Sequence, residues 1–115
     1  MQYLLMIYSS ETIENAMPPA EIGAIMQAYG AYTQALTQAG VLRAGERLRP
    51  TPDATSVRVR NGKSEVLNGP YADTQEQLGG YYVIDVPDLD AALQWAARCP
   101  TSTYGTIEVR PIWAM

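Results

Sequence analysis

The sequence predicts one α+β domain over residues 1–115, with helices on one face of an antiparallel sheet. Three observations support this prediction. Segments with strand periodicity and segments with helical periodicity follow each other in the order β-α-β-β-α-β. An Asn61-Gly62 dipeptide in the middle of that order predicts an inserted β-hairpin. The length suits a single domain, and an apolar fraction of 47% is enough to form a core.

The first strand is predicted at residues 3–8, which are apolar on both alternating faces, as in a central strand covered on both sides. A helix is predicted over residues 21–39 after a Pro18-Pro19 start signal, and Gly40 suits the position just past its end. Its apolar residues recur at helical spacing and form one stripe. That stripe consists of Ile22, Ile25, Met26, Tyr29, Tyr32 and Leu36.

A second strand is predicted at residues 41–48, where Pro50 and Pro52 end it, and a hairpin at residues 56–67. A two-residue turn at Asn61-Gly62 fixes the register of the hairpin. The predicted partners are Arg60 with Lys63, Val59 with Ser64, Arg58 with Glu65 and Val57 with Val66. This register sets opposite charges and two valines against each other, so it is self-consistent.

Residues 73–78 are predicted to form a short helical turn, and residues 80–86 a strand. Asp88 is expected to cap a helix at Leu89–Arg98, and a last strand is expected at residues 106–112. The buried stripe of that helix is predicted to be Leu89, Ala92, Leu93 and Ala96. In the strand at 80–86, alternation places Tyr82, Ile84 and Val86 on one face and Tyr81, Val83 and Asp85 on the other.

This order is that of a ferredoxin-like fold, with both long helices on one sheet face. The second face would carry one side of the first strand together with Tyr81, Val83, Asp85, Glu108 and Arg110. Such a mixture is too apolar for water and too charged for a dry core. The sequence therefore predicts a homodimer with two-fold symmetry, in which this face packs partly on a second copy and partly encloses a ligand cavity.

Charge and composition argue against several classes of protein. A net charge of −4 disfavours binding to nucleic acid or to an anionic membrane surface. No apolar run approaches the length of a membrane span, and no signal peptide is apparent. Cys99 is the only cysteine, so no internal disulfide can form, and the cytoplasm is the expected location. Cys99 is interpreted as a small buried hydrophobe, since no nearby His or Lys would activate it as a nucleophile.

The strongest candidate for a site is the segment at residues 68–82, which combines turn formers, carboxylates and tyrosines. Gly79 and Gly80 allow another group to approach the backbone closely. Asp73 and Glu76 are the candidate catalytic pair, because two carboxylates can divide the acid and base roles. The alternative is that both simply stabilise a helix N-terminus.

Further ligand-binding candidates come from aromatic and basic side chains. Tyr71 and Tyr81 could orient a substrate through their hydroxyls, or serve only in packing. Arg43, Arg47 and Arg110 could each bind a carboxylate or phosphate, although Arg110 could instead pair with Glu108 or Asp85. The chain has no His and no oxygen-rich metal loop, and Gly79-Gly80 is not a dinucleotide fingerprint. No metal and no cofactor are therefore predicted.

Taken together, several segments resemble the DGPF-domain proteins of the YCII-related superfamily, and the likeness spans nearly the whole chain. The segments are residues 3–8, Ala44-Gly45-Glu46, residues 57–60, 68–82, 84–90 and 108–112. The Asp-Gly-Pro-Phe tetrad of that family corresponds to Asn68-Gly69-Pro70-Tyr71 here. Asn keeps the turn chemistry but removes the carboxylate, so no acid/base role is carried to position 68.

The resemblance implies a dimeric α/β barrel with a pocket between the sheet and the tetrad loop. It also implies a role near regulation, since some members are encoded beside extracytoplasmic-function sigma factors. A His-Asp pair is proposed as catalytic in the wider superfamily, where one member is a dehydrochlorinase of a hydroxylated aromatic ring. This chain has no His, so that pair does not transfer.

Three functions remain open from the sequence. The first is a small-molecule-binding homodimer, accessory to sigma-factor or stress regulation. The second is a cofactor-independent enzyme acting on a small aromatic or anionic compound through the loop carboxylates Asp73 and Glu76. The third is an interaction module whose second sheet face is only a dimer interface.

Overall fold

A computed structural model describes residues 1–114 and has the predicted order of elements. The strands are β1 (Gln2–Ser9), β2 (Leu42–Arg47), β3 (Thr55–Arg60), β4 (Lys63–Asn68), β5 (Gln77–Asp85) and β6 (Thr106–Pro111). The α-helices are α1 (Glu11–Asn15), α2 (Pro19–Gln38) and α3 (Leu89–Arg98), and short 3-10 turns occupy Thr51–Asp53 and Pro100–Thr103. None of the helices in this described part is both long and apolar enough to cross a membrane.

The main sheet has four strands in the order β2-β5-β1-β6, and every neighbouring pair is antiparallel. This arrangement is consistent with a ferredoxin-like fold, in which each helical connection skips one strand. The strands β3 and β4 form a separate two-stranded sheet. The α+β prediction with an inserted hairpin is thereby confirmed.

The core lies between the sheet and the helices α2 and α3. Strand β1 buries every second residue, as expected for a strand with one face on the core. The buried apolar residues are Tyr3, Leu5, Ile7, Tyr32, Leu36, Ile84, Val86, Ala92, Ala96 and Cys99. Tyr32 is central, because its ring meets Tyr82 edge-on at 5.5 Å and its hydroxyl donates to the Trp95 carbonyl at 2.7 Å.

Both long helices begin and end where the local chemistry predicts. Pro18 and Pro19 start α2, while Gly40 follows its end with a φ of +73°. The Val41 N–H then donates to the Leu36 carbonyl at 3.2 Å, which satisfies one of the last free carbonyls. At α3 the Asp88 carboxylate accepts from the Ala91 N–H at 2.9 Å, as predicted for its N-cap.

The hairpin has the predicted register in every pair. Asn61 and Gly62 have φ of 53° and 74°, as a two-residue primed turn requires, and Arg58 pairs with Glu65 at 2.7 Å. The valine side of this hairpin is mostly exposed, at Val57, Val59 and Val66. The hairpin therefore stands away from the core.

One prediction of secondary structure was wrong, and one short helix was not predicted. Residues 73–78 form no helical turn, because the Gln77 side chain donates to the Thr74 carbonyl at 2.6 Å and Gln77 itself already begins β5. The short helix α1 was not predicted, since five residues carry no periodic pattern. Its N-cap is Ser10, whose hydroxyl accepts from the Ile13 N–H at 3.2 Å.

Two predicted stripes are buried only in part. Leu89 and Leu93 are exposed, because α3 approaches the sheet through Ala92 and Ala96 instead. On α2 only Tyr32 and Leu36 are buried, whereas Ile22 and Met26 near its N-terminus are exposed. The N-terminal half of α2 thus lies over a part of the sheet that offers it no tight packing.

Within residues 1–114, no helix covers the second face of the sheet. Leu4 and Met6 of β1 lie beside Val83 and Tyr81 of β5 on this face, and all four remain partly exposed. The molecule is only 19 Å thick, as expected for two layers. Its radius of gyration of 16.0 Å exceeds the value of about 13 Å typical of a compact domain of this length.

Candidate functional site

A cavity of about 600 Å³ lies between the N-terminal half of α2 and the helix-side face of the sheet. The helix contributes Ile25, Met26, Tyr29 and Thr33 to its wall. The short helix α1, the segment after β2 and the turn Pro100–Thr103 close its other sides. The exposed half of the α2 stripe is therefore the roof of a cavity.

Two glycines lie on the sheet side of the cavity. Gly45 is paired with Tyr82 on the adjacent strand, and a Cβ at position 45 would lie 2.6 Å from the Tyr82 ring. Gly80 is paired with Arg47, and a Cβ there would lie 3.0 Å from the Glu46 carbonyl oxygen. The Tyr82 ring thus occupies the space that a side chain at position 45 would need, and the β2 backbone packs closely on Gly80.

Hydroxyl groups from distant elements meet at the inner wall. We name this group the hydroxyl cluster, consisting of Tyr29, Thr33, Tyr82, Thr101 and Tyr104. Within it the Tyr29 hydroxyl contacts the Thr101 hydroxyl and lies 3.4 Å from the Cys99 sulfur. Thr33 and Tyr82 are joined at 2.7 Å, and Thr101 and Tyr104 at 3.4 Å. The cluster presents several donors and acceptors along one wall.

The hydroxyl cluster is uncharged near neutral pH. Burial is the main cause that raises the pKa of Tyr29, Tyr82 and Tyr104 above the ordinary 10.0, and burial likewise raises the pKa of the Cys99 thiol above 9.0. These groups can therefore bind a ligand by hydrogen bonds, but none supplies a tyrosinate or thiolate at pH 7.

Two carboxylates of α1 line the cavity and differ in their partners. Both oxygens of Glu11 accept from Thr51, one of them from its N–H at 2.8 Å, so Glu11 anchors the turn at Thr51–Asp53. Glu14 accepts from the buried Ser9 hydroxyl through one oxygen. Within residues 1–114, its second oxygen accepts no hydrogen bond. Glu14 is thus the carboxylate with free bonding capacity at this wall.

One arginine adds a positive charge at the mouth. Arg47 lies two residues after Gly45 on β2, so it is on the same side of the sheet as the cavity that it lines. Arg49 forms an ion pair with Asp53, in which Nε lies 2.8 Å from Oδ2. Arg47, by contrast, forms no ion pair with any residue in the described part of the chain.

Four of the predicted site residues line this cavity, namely Arg47, Gly79, Gly80 and Tyr81. Strand alternation directs the Tyr81 side chain to the second sheet face beside Met6, so its backbone faces the cavity. Asp73 is exposed and Glu76 partly buried in the loop before β5, and neither lines the cavity. Tyr71 is 79% exposed.

The other two predicted arginines also lie apart from the cavity. Arg43 binds Asp85 at 3.6 Å and the Gly40 carbonyl at 3.0 Å. Arg110 pairs with Glu108 at 2.8 Å, as one of the two alternatives predicted. The sequence reasoning missed Ser9, Glu14, Thr101 and Tyr104. A usable signal was the presence of eight tyrosines without any phenylalanine, because buried phenols need polar partners.

No group of three or more His, Cys, Asp or Glu side chains within residues 1–114 is arranged to hold a metal ion. The cavity instead offers neutral hydroxyls, the Glu14 carboxylate with one free oxygen within residues 1–114, and the Arg47 guanidinium, together with apolar side chains. Such a surface can select a small organic molecule by shape and by a few hydrogen bonds.

Alkaline pH is expected to destabilise the fold through its buried acidic groups. Burial raises the pKa of Tyr32 above 10.0 and that of Cys99 above 9.0, so the folded state retains protons that the unfolded chain loses. Their contribution is fully present below pH 9 and is lost as the pH rises toward the folded pKa. Each group should lower the free energy of unfolding by up to about 1.4 kcal/mol per pH unit.

Urea unfolding between pH 7 and pH 11 measures this dependence. Tyr32→Phe should weaken the alkaline slope, while Tyr71→Phe, at an exposed position, should leave it unchanged. A free energy of unfolding that stays constant up to pH 11 would contradict the raised pKa of Tyr32 and of Cys99.

Comparison with known proteins gives two findings. The family model described as the YCII-related domain matches residues 1–115. The uncharacterized protein R00369 of Rhizobium meliloti (strain 1021) is 35% identical over 114 residues, which cover 97% of this chain and 92% of that protein.

Proposed function

The chain belongs to the YCII-related family, and on that premise we propose that it binds a small molecule in the cavity between α2 and the sheet. The observation that supports this function most is the cavity itself. Its volume of about 600 Å³ falls within the usual range for ligand sites. Apolar side chains surround a few convergent polar groups, which is the usual composition of such sites.

Several features favour a ligand site over a packing defect. The wall contains the Glu14 carboxylate and the hydroxyl cluster, which can hydrogen-bond to a ligand, whereas the cavities left empty in proteins have apolar linings. Gly45 and Gly80, on adjacent strands, both line the cavity. A side chain at either position would meet the Tyr82 ring or the β2 backbone and would displace the sheet side of the cavity.

Thermal denaturation in the presence of a broad set of metabolites tests the proposal. A true ligand at about 100 times its Kd should stabilise the protein by roughly 2.7 kcal/mol. Met26→Trp enlarges a half-exposed side chain of the cavity roof and should abolish this stabilisation. Asp73→Asn, outside the cavity, tests in the same assay whether the tetrad loop takes part.

Stabilisation of wild type and of Asp73→Asn, but not of Met26→Trp, would support the cavity. If the ligand fails to stabilise Asp73→Asn instead, the binding site lies at the tetrad loop. If no compound stabilises any variant, the interaction module becomes the better description.

The proposed functional unit is a homodimer formed through the second sheet face. Leu4, Met6, Tyr81 and Val83 make this face apolar at its centre and remain partly exposed in one chain. Four charged side chains near its ends already form pairs, Arg43 with Asp85 and Arg110 with Glu108, so covering these four costs less than covering single ions. Two copies packed face to face would give the dimeric α/β barrel that the family likeness implies.

Light scattering coupled to size exclusion is expected to give twice the chain mass for the wild type. Met6→Glu places a charge at the centre of the second face and should yield a monomer. Val57→Glu, on the separate hairpin, is the matched control and should leave the mass unchanged. A wild-type protein that is monomeric at micromolar concentration would exclude this dimer.

A second candidate function is a cofactor-independent enzyme, and the contact between Glu14 and Ser9 inside the cavity favours it. A carboxylate with one free oxygen can act as a base toward a bound ligand. Product analysis of any compound that stabilises the protein tests this, with Glu14→Gln as the variant. The role near sigma-factor or stress regulation stays a prediction from the family likeness, and co-purification of a sigma factor with the chain would test it.

A further inference from the structure

Building on the proposed binding function, we infer that the cavity takes a small organic acid. Its carboxylate or phosphate would bind Arg47 at the mouth, and a hydroxyl or amine at its other end would donate to Glu14. The inference concerns the chemical class of the ligand, which the cavity alone does not define.

Arg47 is the cation that can reach a ligand at this mouth. The register of β2 and β5 pairs Arg47 with Gly80, so no side chain competes with it for space on the cavity side. Arg49, two residues later, already donates to Asp53. An arginine without an ion pair offers its planar guanidinium to a carboxylate or phosphate in a two-point contact.

The carboxylates near the mouth do not neutralise Arg47. Glu46 precedes it on β2 and is paired with Tyr81, so its side chain lies on the opposite sheet face. Glu11 is occupied at both oxygens by Thr51. Arg47 therefore forms no ion pair within residues 1–114, and its guanidinium is available to bind an anion directly even though the whole chain carries −4.

The inner wall offers hydrogen-bond acceptors, so it favours a ligand that carries a hydrogen-bond donor. Glu14 accepts from Ser9 through one oxygen, which leaves the other for a ligand. The neighbouring hydroxyls can accept as well as donate. Ile7, Ile25, Met26 and Leu42 line the cavity with apolar surface between its two polar ends. A compact acid with a donor at its far end satisfies all three regions.

Isothermal titration calorimetry with four matched compounds tests the class. The compounds are 4-hydroxybenzoate, the neutral 4-hydroxybenzamide, benzoate without the donor, and phenyl phosphate. We expect 4-hydroxybenzoate to bind at least tenfold more tightly than the amide and more tightly than benzoate. The comparison of benzoate with phenyl phosphate decides between a carboxylate and a phosphate ligand.

Two variants of Arg47 test its contact with the ligand, and one variant of Arg60 serves as the control. Arg47→Gln should weaken 4-hydroxybenzoate binding by about 10- to 100-fold and remove the preference over the amide. Arg47→Lys should recover part of the affinity, because it keeps the charge without the two-point contact. Arg60→Gln makes the same charge change on the hairpin, outside the cavity, and should leave affinity unchanged. Equal Tm values for the variants would exclude unfolding as the cause.

Some outcomes overturn the inference and leave the proposed function intact. Equal affinity for the acid and the amide would do so, as would a set of cavity ligands from the metabolite screen that are all neutral or cationic. If no metabolite stabilises the protein and Met26→Trp changes nothing, the proposed binding function itself fails.

Discussion

Replacing Gly105 with alanine is expected to lower the Tm by roughly 10 °C or more. A Cβ at this position would lie 2.2 Å from the Tyr8 carbonyl oxygen and 2.8 Å from the Thr101 methyl group. The carbonyl belongs to a central strand and cannot move alone, so the clash must displace β1 or the turn that leads into β6. Forced overpacking of this kind costs about 1–3 kcal/mol and sometimes more, and about 2–3 kcal/mol corresponds to such a shift in a domain of this size.

The same substitution at Gly30 is the matched control. Gly30 lies inside α2, and a Cβ there would have no heavy atom within 4 Å. Gly30→Ala should therefore stabilise the protein by about 0.4–1 kcal/mol, since alanine favours the helix and restricts the unfolded chain. Both variants are compared by thermal unfolding at one protein concentration, because association would make the Tm depend on concentration.

Gly105→Ala also bears on the candidate site. The added Cβ would lie 3.2 Å from the Ser9 Cβ, and both Ser9 and Thr101 line the cavity. Any relaxation that relieves the clash must therefore move the inner wall of the cavity. An alanine variant with wild-type Tm would show that this turn is looser than its contacts indicate.

The second large effect is expected for Leu36→Ala in the C-terminal half of α2. Leu36 is 0% exposed and belongs to the central core. Truncating a fully buried leucine removes its transfer free energy and leaves a void that the surrounding side chains fill only in part. We expect the free energy of unfolding in urea to fall by about 2–5 kcal/mol.

Leu93→Ala provides the control for this prediction, because it is the same substitution in a helix at a residue that is 47% exposed. Its cost should stay below about 1 kcal/mol, since alanine is also the better helix former. Losses of similar size in the two variants would place Leu93 in a buried interface, for instance with a second copy of the chain. They would also contradict the packing of α3 through its alanines.

The contrast between the two halves of α2 connects stability with the candidate site. Tyr32 and Leu36 in the second half are buried against the sheet, whereas Ile25, Met26 and Tyr29 in the first half line the cavity. Substitutions in the second half should therefore act mainly on stability. Substitutions in the first half should act mainly on binding, because little packing is lost there.

Only part of the candidate site could be predicted from the sequence. Gly79 and Gly80 were predicted as positions of close backbone approach. A Cβ at Gly80 would lie 3.0 Å from the Glu46 carbonyl oxygen, whereas one at Gly79 would lie 4.0 Å from the Ile7 carbonyl oxygen, and both glycines line the cavity. The acidic candidates were drawn from a single loop, since residues that are near in sequence are the ones a motif can connect. Glu14 and Tyr104 are 90 positions apart in the chain, and only the meeting of β1 with the end of the α3 connection makes them neighbours.

The sequence by itself determined the α+β class, the order of the strands and long helices, the caps at Asp88 and Gly40, and the hairpin register. Periodicity, capping and turn chemistry are local, so they act within a few residues. The tertiary structure alone decided which apolar residues are buried and where the cavity lies. Gly45 and Gly80 are 35 positions apart in the chain, and they line one cavity only because β2 pairs with β5. That pairing depends on long-range contacts throughout the sheet. No short segment of the sequence encodes these contacts, so the pairing cannot be predicted from local patterns.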